Sequence, residues 1–378
     1  MFKHYLCPPA IAGALLPLIF FCTGIIAQKD APPAKTYEPA FALVEQYPTP
    51  VIDRTSPGAE GSEYGFEDGR VVKIEGTYHM VTTEMLAGQM WVKTRIAHWT
   101  SPDRIHWQRI STLFASSGDF TGQDPRASFW GPMPVYNLEE GRWDLIYVAY
   151  RCAPNTKTEY RKNYEGRIWR AVSKQQGYRG IGGPYEDVGV LLEPDANSQP
   201  WEGLQGTDSF FPYQVGKRWL GFYGSANTEH LPVEHLRVGL AEAPALAGPW
   251  KRMSGINPLN IESHFIENPI VTRLENGYYV IVYDSDVSNA IGWAWSAPDD
   301  GVHWTRGSPI VVQPKGTGFW ANDVRTPLGL IPEGHGLYTV FYTGYQKPPV
   351  SGPHVYSPVG FVTLKDASAM ATGAGRHQ

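Results

Sequence analysis

Residues 208–225, DSFFPYQVGKRWLGFYGS, contain an apolar strand, a turn at Gly216 and a second strand rich in aromatic side chains. Five stretches share this order: Phe66–Leu86, Phe129–Tyr150, Asp208–Ser225, Glu267–Asp284 and Asp323–Thr343. Their turn glycines (Gly76, Gly141, Gly216, Gly277 and Gly336) lie about 60 to 75 residues apart. Glycine accepts the positive φ that tight hairpin turns require. The repeat predicts an all-β fold, a five-bladed β-propeller whose first strands face one central axis.

The composition agrees with this fold class. The chain has 378 residues, 13% of them aromatic, with 40 Gly and 32 Pro, which suits many short strands joined by turns. The net charge is −5 and no run of Lys or Arg occurs, so the sequence argues against nucleic acid as a partner.

The N-terminus has the pattern of an export signal. Lys3 and His4 precede an apolar stretch, and Ala27 offers a small residue before a polar segment. We predict a signal peptide at 1–27, a linker or closing segment at 28–60, the propeller at 61–365 and a disordered tail at 366–378. The mature protein is expected to be secreted or periplasmic, without a membrane span. Lipid attachment at Cys22 is less favoured because bulky residues precede it, and cleavage would leave Cys152 as the lone cysteine.

Acidic residues stand where several first strands begin. Asp68 and Asp208 each lie eight residues before their turn glycine, and Glu267 lies ten residues before Gly277. The equal offsets predict equivalent positions for Asp68 and Asp208, facing the axis. Three carboxylates at one mouth would repel each other, which favours a catalytic purpose. Glu67 is the rival of Asp68, because a one-residue change of register exchanges the side chain that faces the axis.

Such a set suits glycoside hydrolysis, which needs one carboxylic acid to protonate the departing oxygen and one carboxylate to activate water or attack the sugar. Each residue also has a structural interpretation: Asp68 could belong to a turn, and Asp208 could cap a strand. The repeated position within a repeated unit favours the catalytic interpretation.

Other residues at the same end of the predicted blades are candidates for substrate binding. Trp130 offers a flat face to a sugar ring, although packing between blades would also explain it. His264 lies close to Glu267. Blade five begins with Trp320, Asn322, Asp323 and Arg325, and Arg325 could bind a substrate carboxylate or neutralise Asp323.

The sequence lacks the motifs of several other chemistries. It has no glycine-rich phosphate loop, no zinc-type Cys and His spacing and no Gly-x-Ser-x-Gly elbow. No cofactor is expected to be required and no catalytic metal is assigned, but a structural Ca²⁺ on the axis is conceivable.

Four of these motifs resemble those of the five-bladed propeller glycosidases, with glycoside hydrolase family 43 as the nearest pattern and families 32, 68 and 117 as its relatives. They are Phe66-Glu-Asp68-Gly, Phe129-Trp130-Gly-Pro, Thr207-Asp208-Ser and Ile266-Glu267-Asn-Pro. The resemblance implies that Asp68 is the base or nucleophile, that Asp208 orients the acid and modulates its pKa, and that Glu267 is the general acid. The chain departs from family 43 at Asp68-Gly69, where that family has Asp-Pro, and in blade five, where its histidine has no match.

These observations predict an exported, exo-acting glycosidase for plant or algal oligosaccharides, with inversion favoured over retention. A non-catalytic, carbohydrate-binding propeller is the alternative from another class. A sialidase-like enzyme is a third interpretation, disfavoured because it needs three arginines around the substrate carboxylate. The sugar, its linkage and the oligomeric state are left open.

Overall fold

The structure is a computed structural model that describes residues 37–233, 235–312, 319–346 and 355–368. The expected signal peptide (1–27) and residues 369–378 of the expected tail lie outside the described residues. Within the described part, 21 strands form five antiparallel sheets, the blades of the molecule. A short 3₁₀ helix, Tyr178–Gly182, belongs to blade two.

The strands, in chain order, are β1 (Phe41–Gln46); β2 (Gly65–Ile74), β3 (Thr77–Met85), β4 (Thr94–Ser101) and β5 (Gln108–Ala115) of blade one; β6 (Ser128–Asn137), β7 (Arg142–Arg151), β8 (Tyr164–Gln176) and β9 (Tyr185–Leu192) of blade two; β10 (Asp208–Val215), β11 (Arg218–Ala226), β12 (Leu236–Ala243) and β13 (Lys251–Arg252) of blade three; β14 (Ile266–Arg273), β15 (Tyr279–Ser285), β16 (Ala290–Ser296), β17 (Thr305–Arg306) and β18 (Ile310–Val311) of blade four; and β19 (Asp323–Gly334), β20 (Leu337–Tyr345) and β21 (Val359–Asp366) of blade five.

The first strands of the blades form a closed ring around the axis. β2 contacts β6, β6 contacts β10, β10 contacts β14, β14 contacts β19, and β19 contacts β2. This arrangement confirms the five-bladed β-propeller that the repeat predicts. β1 is the outermost strand of blade five and pairs with β21, where Phe41 lies opposite Asp366. The ring is therefore closed by strands from opposite ends of the described chain.

The second strand of each blade is almost wholly buried because its sheet packs between two neighbouring blades. In β7 eight consecutive residues, WDLIYVAY, are buried, and most of them are apolar. Tyr147, Tyr223 and Tyr283 occupy equivalent points of β7, β11 and β15 and are fully buried. Aromatic residues on these strands thus fill the space between blades, as their large apolar area favours.

Candidate active site

One end of the axis is built by a repeated irregularity of the first strands. Glu67, Trp130, Asp208 and Glu267 are each followed by a β-bulge, in which the first strand carries one residue more than its partner. We call these four residues the upper layer. The next residue in each strand has a positive φ, between 49° and 55°, and these residues form the lower layer: Asp68, Gly131, Ser209 and Asn268.

The strand register corrects one sequence-based expectation. Counted from the hairpin ends, where Ile74 pairs with Thr77 and Val215 pairs with Arg218, the equivalent of Asp208 is Glu67 and not Asp68. The expectation of equivalence between Asp68 and Asp208 is therefore wrong. The one-residue error arises because the two glycines occupy different turn positions: Gly76 is the second residue of its two-residue turn, whereas Gly216 is the first residue of its turn. Counting back eight residues from each glycine therefore reaches positions that are one residue out of step.

Arg325 joins two of the upper-layer acids, Glu67 and Glu267, into one network. Its Nη2 lies 2.8 Å from Oε1 of Glu67 and 2.7 Å from Oε2 of Glu267, and Nη1 contacts Asp284 of β15. Because the two glutamate oxygens share one nitrogen, they are at most 5.5 Å apart. The guanidinium thus holds carboxyl groups from blades one and four around it.

The lower layer is a chain of hydrogen bonds below the upper one. Asn268 Nδ2 donates to Oδ1 of Asp68 at 2.8 Å, and the Thr326 hydroxyl donates to the same oxygen at 3.3 Å. Ser209 Oγ donates to Oδ1 of Asn268 at 2.6 Å. Residues from blades one, three, four and five therefore fix the position of Asp68.

Burial raises the pKa of several of these carboxyl groups. For Asp208 burial is the main cause, the charge of Glu267 adds to it, and hydrogen bonds from Tyr150 and Ser209 oppose it, so its pKa rises to about 7. Burial also raises the pKa of Asp68 well above its ordinary range, and the neighbouring charge of Glu67 adds to this.

The network contains more acids than bases. Glu67, Asp68, Asp208, Glu267 and Asp284 supply five carboxyl groups, and all are at most 8% exposed. Burial lowers the pKa of Arg325, but the charges of Asp284 and Glu267 outweigh that effect and raise it well above its ordinary value. One permanent cation cannot balance five carboxylates in a buried site, so the cluster retains protons near neutral pH.

A cleft of about 410 Å³ opens onto this cluster. Glu67, Asp68, Asp208, Glu267 and Arg325 all line it. Aromatic and aliphatic groups form much of the remaining wall: Trp91, Trp130, Tyr150, Tyr160, Leu231, Pro232, Val233 and Leu236. Charged groups of unusual pKa in an open, largely apolar cleft are typical of an active site.

No protein-family model matches the sequence, and no curated protein matches it by sequence. Solved structures do resemble it. Zg3597, a family 117 glycoside hydrolase from the marine bacterium Zobellia galactanivorans, has 15% identity and a TM-score of 0.58, over 87% of this chain and 91% of its own. BT0996, solved as an RGII complex, has 16% identity and a TM-score of 0.61, over 84% of this chain and 92% of its own. The catalytic domain of a Coprinopsis cinerea GH62 α-L-arabinofuranosidase has 13% identity and a TM-score of 0.52, over 84% of this chain and 95% of its own.

The protein shares the fold of these solved structures. At such low identity the similarity establishes the architecture, and any activity must be argued from the site itself.

Of the residues predicted from the sequence, the cleft contains Asp68, Asp208, Glu267, Trp130 and Arg325. The indole N–H of Trp130 donates to Ser128, and the Trp130 ring packs in a core cluster while it also lines the cleft. Both interpretations of this tryptophan, packing and a sugar platform, are compatible with that position.

The other four predicted substrate-binding residues are not among those that line the cleft. Asp323 accepts a hydrogen bond from the backbone N–H of Asn289 at 2.7 Å and thereby supports a loop of blade four. Trp320 stacks on Tyr342 within blade five, and Asn322 is exposed. His264 is also exposed, with its ring against His235.

Several residues of the cluster were not predicted. Asp284 lies in the apolar run VIVYDS of β15, where a lone acid is a usable but weak sequence signal. Asn268 and Thr326, which hold Asp68, carry no such signal, because their proximity arises from ring closure. Tyr150, which modulates Asp208, resembles one more aromatic core residue in the sequence.

Neither a metal nor a membrane span is indicated by the described residues. They contain no group of three or more His, Cys, Asp or Glu arranged to hold a metal ion, and a structural Ca²⁺ stays a prediction. No helix among them has the length and hydropathy needed to cross a bilayer.

Cys152 is buried, and burial raises the pKa of its thiol to about 12.

Proposed function

We propose that this protein is a glycoside hydrolase that acts on plant or algal oligosaccharides. The observation that carries the proposal is the convergence of Glu67, Asp68, Asp208 and Glu267 in one open cleft, in a cluster that retains protons near neutral pH. Such a set can donate a proton and accept one, as hydrolysis of a glycosidic bond requires. The glycoside hydrolase and arabinofuranosidase that share the fold support a carbohydrate substrate.

In the proposed mechanism Glu267 is the general acid. It protonates the departing glycosidic oxygen, and Asp208 is the carboxyl group beside it, whose own pKa the charge of Glu267 helps to raise. A carboxylate of blade one is the base. The cavity lies toward the small end of ligand cavities, which suits exo-action on a terminal sugar that packs against Trp130.

The choice of base decides the stereochemistry. If Asp68 activates water, the product has the inverted configuration, which is the mechanism that we favour. Oxygens of Glu67 and Glu267 lie at most 5.5 Å apart, which is below the roughly 6.5–9.5 Å of inverting enzymes, so this pair would suit retention with Glu67 as the nucleophile. NMR of the first anomer released distinguishes the two outcomes.

The test begins with a screen of aryl glycosides and plant or algal oligosaccharides. On the substrate found, Glu267→Gln should slow hydrolysis of unactivated glycosides by about 10²–10⁴-fold, because no acid protonates the leaving group. Aryl glycosides with good leaving groups should lose much less. The exposed Glu242→Gln in β12 is the control and should retain full activity.

Two results would contradict the proposal. Wild-type rates for Glu267→Gln on both substrate types would remove its acid role. Binding of oligosaccharides without hydrolysis by the wild-type protein would favour the non-catalytic, carbohydrate-binding alternative. A sialidase-like activity is disfavoured because Arg325 is the one arginine among the described residues that line the cleft.

A further inference from the structure

The opposite end of the axis has a second opening, whose charged lining residues are basic, whereas those of the cleft are mainly acidic. The first strands begin at the cleft and end at their hairpin turns, and two adjoining cavities of about 330 and 540 Å³ lie at that far end. We call them together the distal mouth. Arg70 and Arg273 line both cavities, and Lys73 lines one. No Asp or Glu is among the described residues that line either cavity.

The two arginines have no carboxylate partner in the described part of the chain. Arg70 is partly buried, donates from Nη1 to the carbonyl oxygen of Pro134 at 2.7 Å and lies over the ring of Phe211. Arg273 is exposed and lies near the ring of Tyr279. Lys73, in contrast, is paired with Glu333 at 2.6 Å. Burial lowers the pKa of Arg70 to about 10, the direction expected of a cation that lacks a counter-charge.

Arg70 contacts a backbone carbonyl and an aromatic face, and Arg273 contacts an aromatic ring, so neither guanidinium charge is balanced by a described carboxylate. Two unbalanced cations that line the same cavities, with no acid among the described lining residues, point to an anionic ligand. Guanidinium groups bind planar oxyanions in a bidentate manner. The walls beside them include aromatic side chains: Tyr136, whose ring lies against Tyr178, and Trp219 are half-buried there.

We propose that the distal mouth binds the carboxylate of an acidic saccharide, a uronate. This site is separate from the catalytic cleft, so it would hold an acidic chain on the propeller without any part in bond cleavage. Binding would weaken as the ionic strength rises, because it depends on two positive charges near the surface.

The test is calorimetric titration of the full-length protein with trigalacturonate, with neutral galactotriose and with inorganic sulfate as separate probes. Trigalacturonate should bind and galactotriose should not. Arg273→Gln should weaken binding of the anionic probe by about tenfold or more, as expected for loss of a charge-assisted hydrogen bond. Arg167→Gln, an arginine of β8 that pairs with Glu193 outside both cavities, is the matched control and should bind as the wild type does.

Glu267→Gln distinguishes binding at the catalytic cleft from binding at the distal mouth. This variant should bind trigalacturonate at the distal mouth as tightly as the wild type does, even if the proposed hydrolase activity is absent. Arg70→Lys keeps the positive charge at this partly buried position and should weaken binding less than Arg273→Gln combined with Arg70→Gln. Three results would overturn the proposal: no binding of trigalacturonate, equal loss in Arg167→Gln, or binding of inorganic sulfate alone.

Discussion

Asp208 shows how a single buried carboxyl group links protonation to stability. Its pKa is raised from 3.8 to about 7, chiefly by burial, so the folded state binds more protons than the unfolded state between about pH 4 and pH 7. The contribution of Asp208 to the free energy of unfolding is therefore fully present below about pH 4 and is lost as the pH rises through about 7. We expect Asp208→Asn to unfold at the same urea concentration as the wild type at pH 4 and at a higher one at pH 8.

Urea unfolding at the two pH values measures this difference, with the exposed Glu186→Gln as a control that should show no pH-dependent change. An equal effect of Asp208→Asn at both pH values would contradict the assigned pKa. The gain in stability would accompany a loss of activity, since the proposed mechanism needs the Asp208 carboxyl group.

At the scale of the elements, three blades repeat one arrangement that joins a buried tyrosine to an acid and an arginine. Its members are Tyr147, Asp187 and Arg126 in blade two; Tyr223, Glu202 and Arg252 in blade three; and Tyr283, Glu262 and Arg306 in blade four. The tyrosine of the second strand donates to the acid, and the acid pairs with the arginine, which lies on an outer strand in blades three and four and just before the first strand in blade two. The arrangement satisfies polar groups that would otherwise be buried without partners.

Glu202→Ala tests this arrangement in blade three. Glu202 is 1% exposed and Arg252 is 3% exposed, with their side chains 2.9 Å apart. Removing the acid leaves the arginine with Asp195 as its remaining carboxylate, at 3.2 Å, so we expect a loss of about 3 kcal/mol in the free energy of unfolding. Chemical denaturation measures it. Glu242→Ala, which breaks an exposed pair, should change stability by less than about 1 kcal/mol, and an equal loss in both variants would contradict a special role for the buried acid.

At the scale of the whole molecule, the ring depends on β1, which completes blade five from the N-terminal side. Phe41 of this strand packs edge-on against Trp293 of blade four and Tyr338 of blade five, with ring centroids 5.0 and 5.5 Å away. Phe41→Ala should lower the free energy of unfolding by about 1–2 kcal/mol, because this partly buried ring covers apolar surface on two blades.

Thermal and urea unfolding of Phe41→Ala measure that contribution. Val44→Ala alters the same strand at a side chain that is 56% exposed and should be nearly neutral. Equal stability of Phe41→Ala and wild type would show that β1 does not help to close the ring.

The sequence by itself determined the five hairpins, the direction of the first strands and the end of the axis at which acids collect. These are local properties, since strand alternation and turn chemistry act over a few residues. The same reasoning assigned Asp68, Asp208, Glu267, Trp130 and Arg325 to one mouth, and all five line the cleft.

Only the tertiary structure decided which of Glu67 and Asp68 is equivalent to Asp208, because side chains alternate with a period of two and a turn glycine can occupy either turn position. It also decided that Arg325 contacts carboxyl groups from blades one and four, and that Asp323 supports a loop instead of lining the cleft. Such contacts join residues up to 258 positions apart, and no local pattern encodes them, since they exist only once the ring has closed.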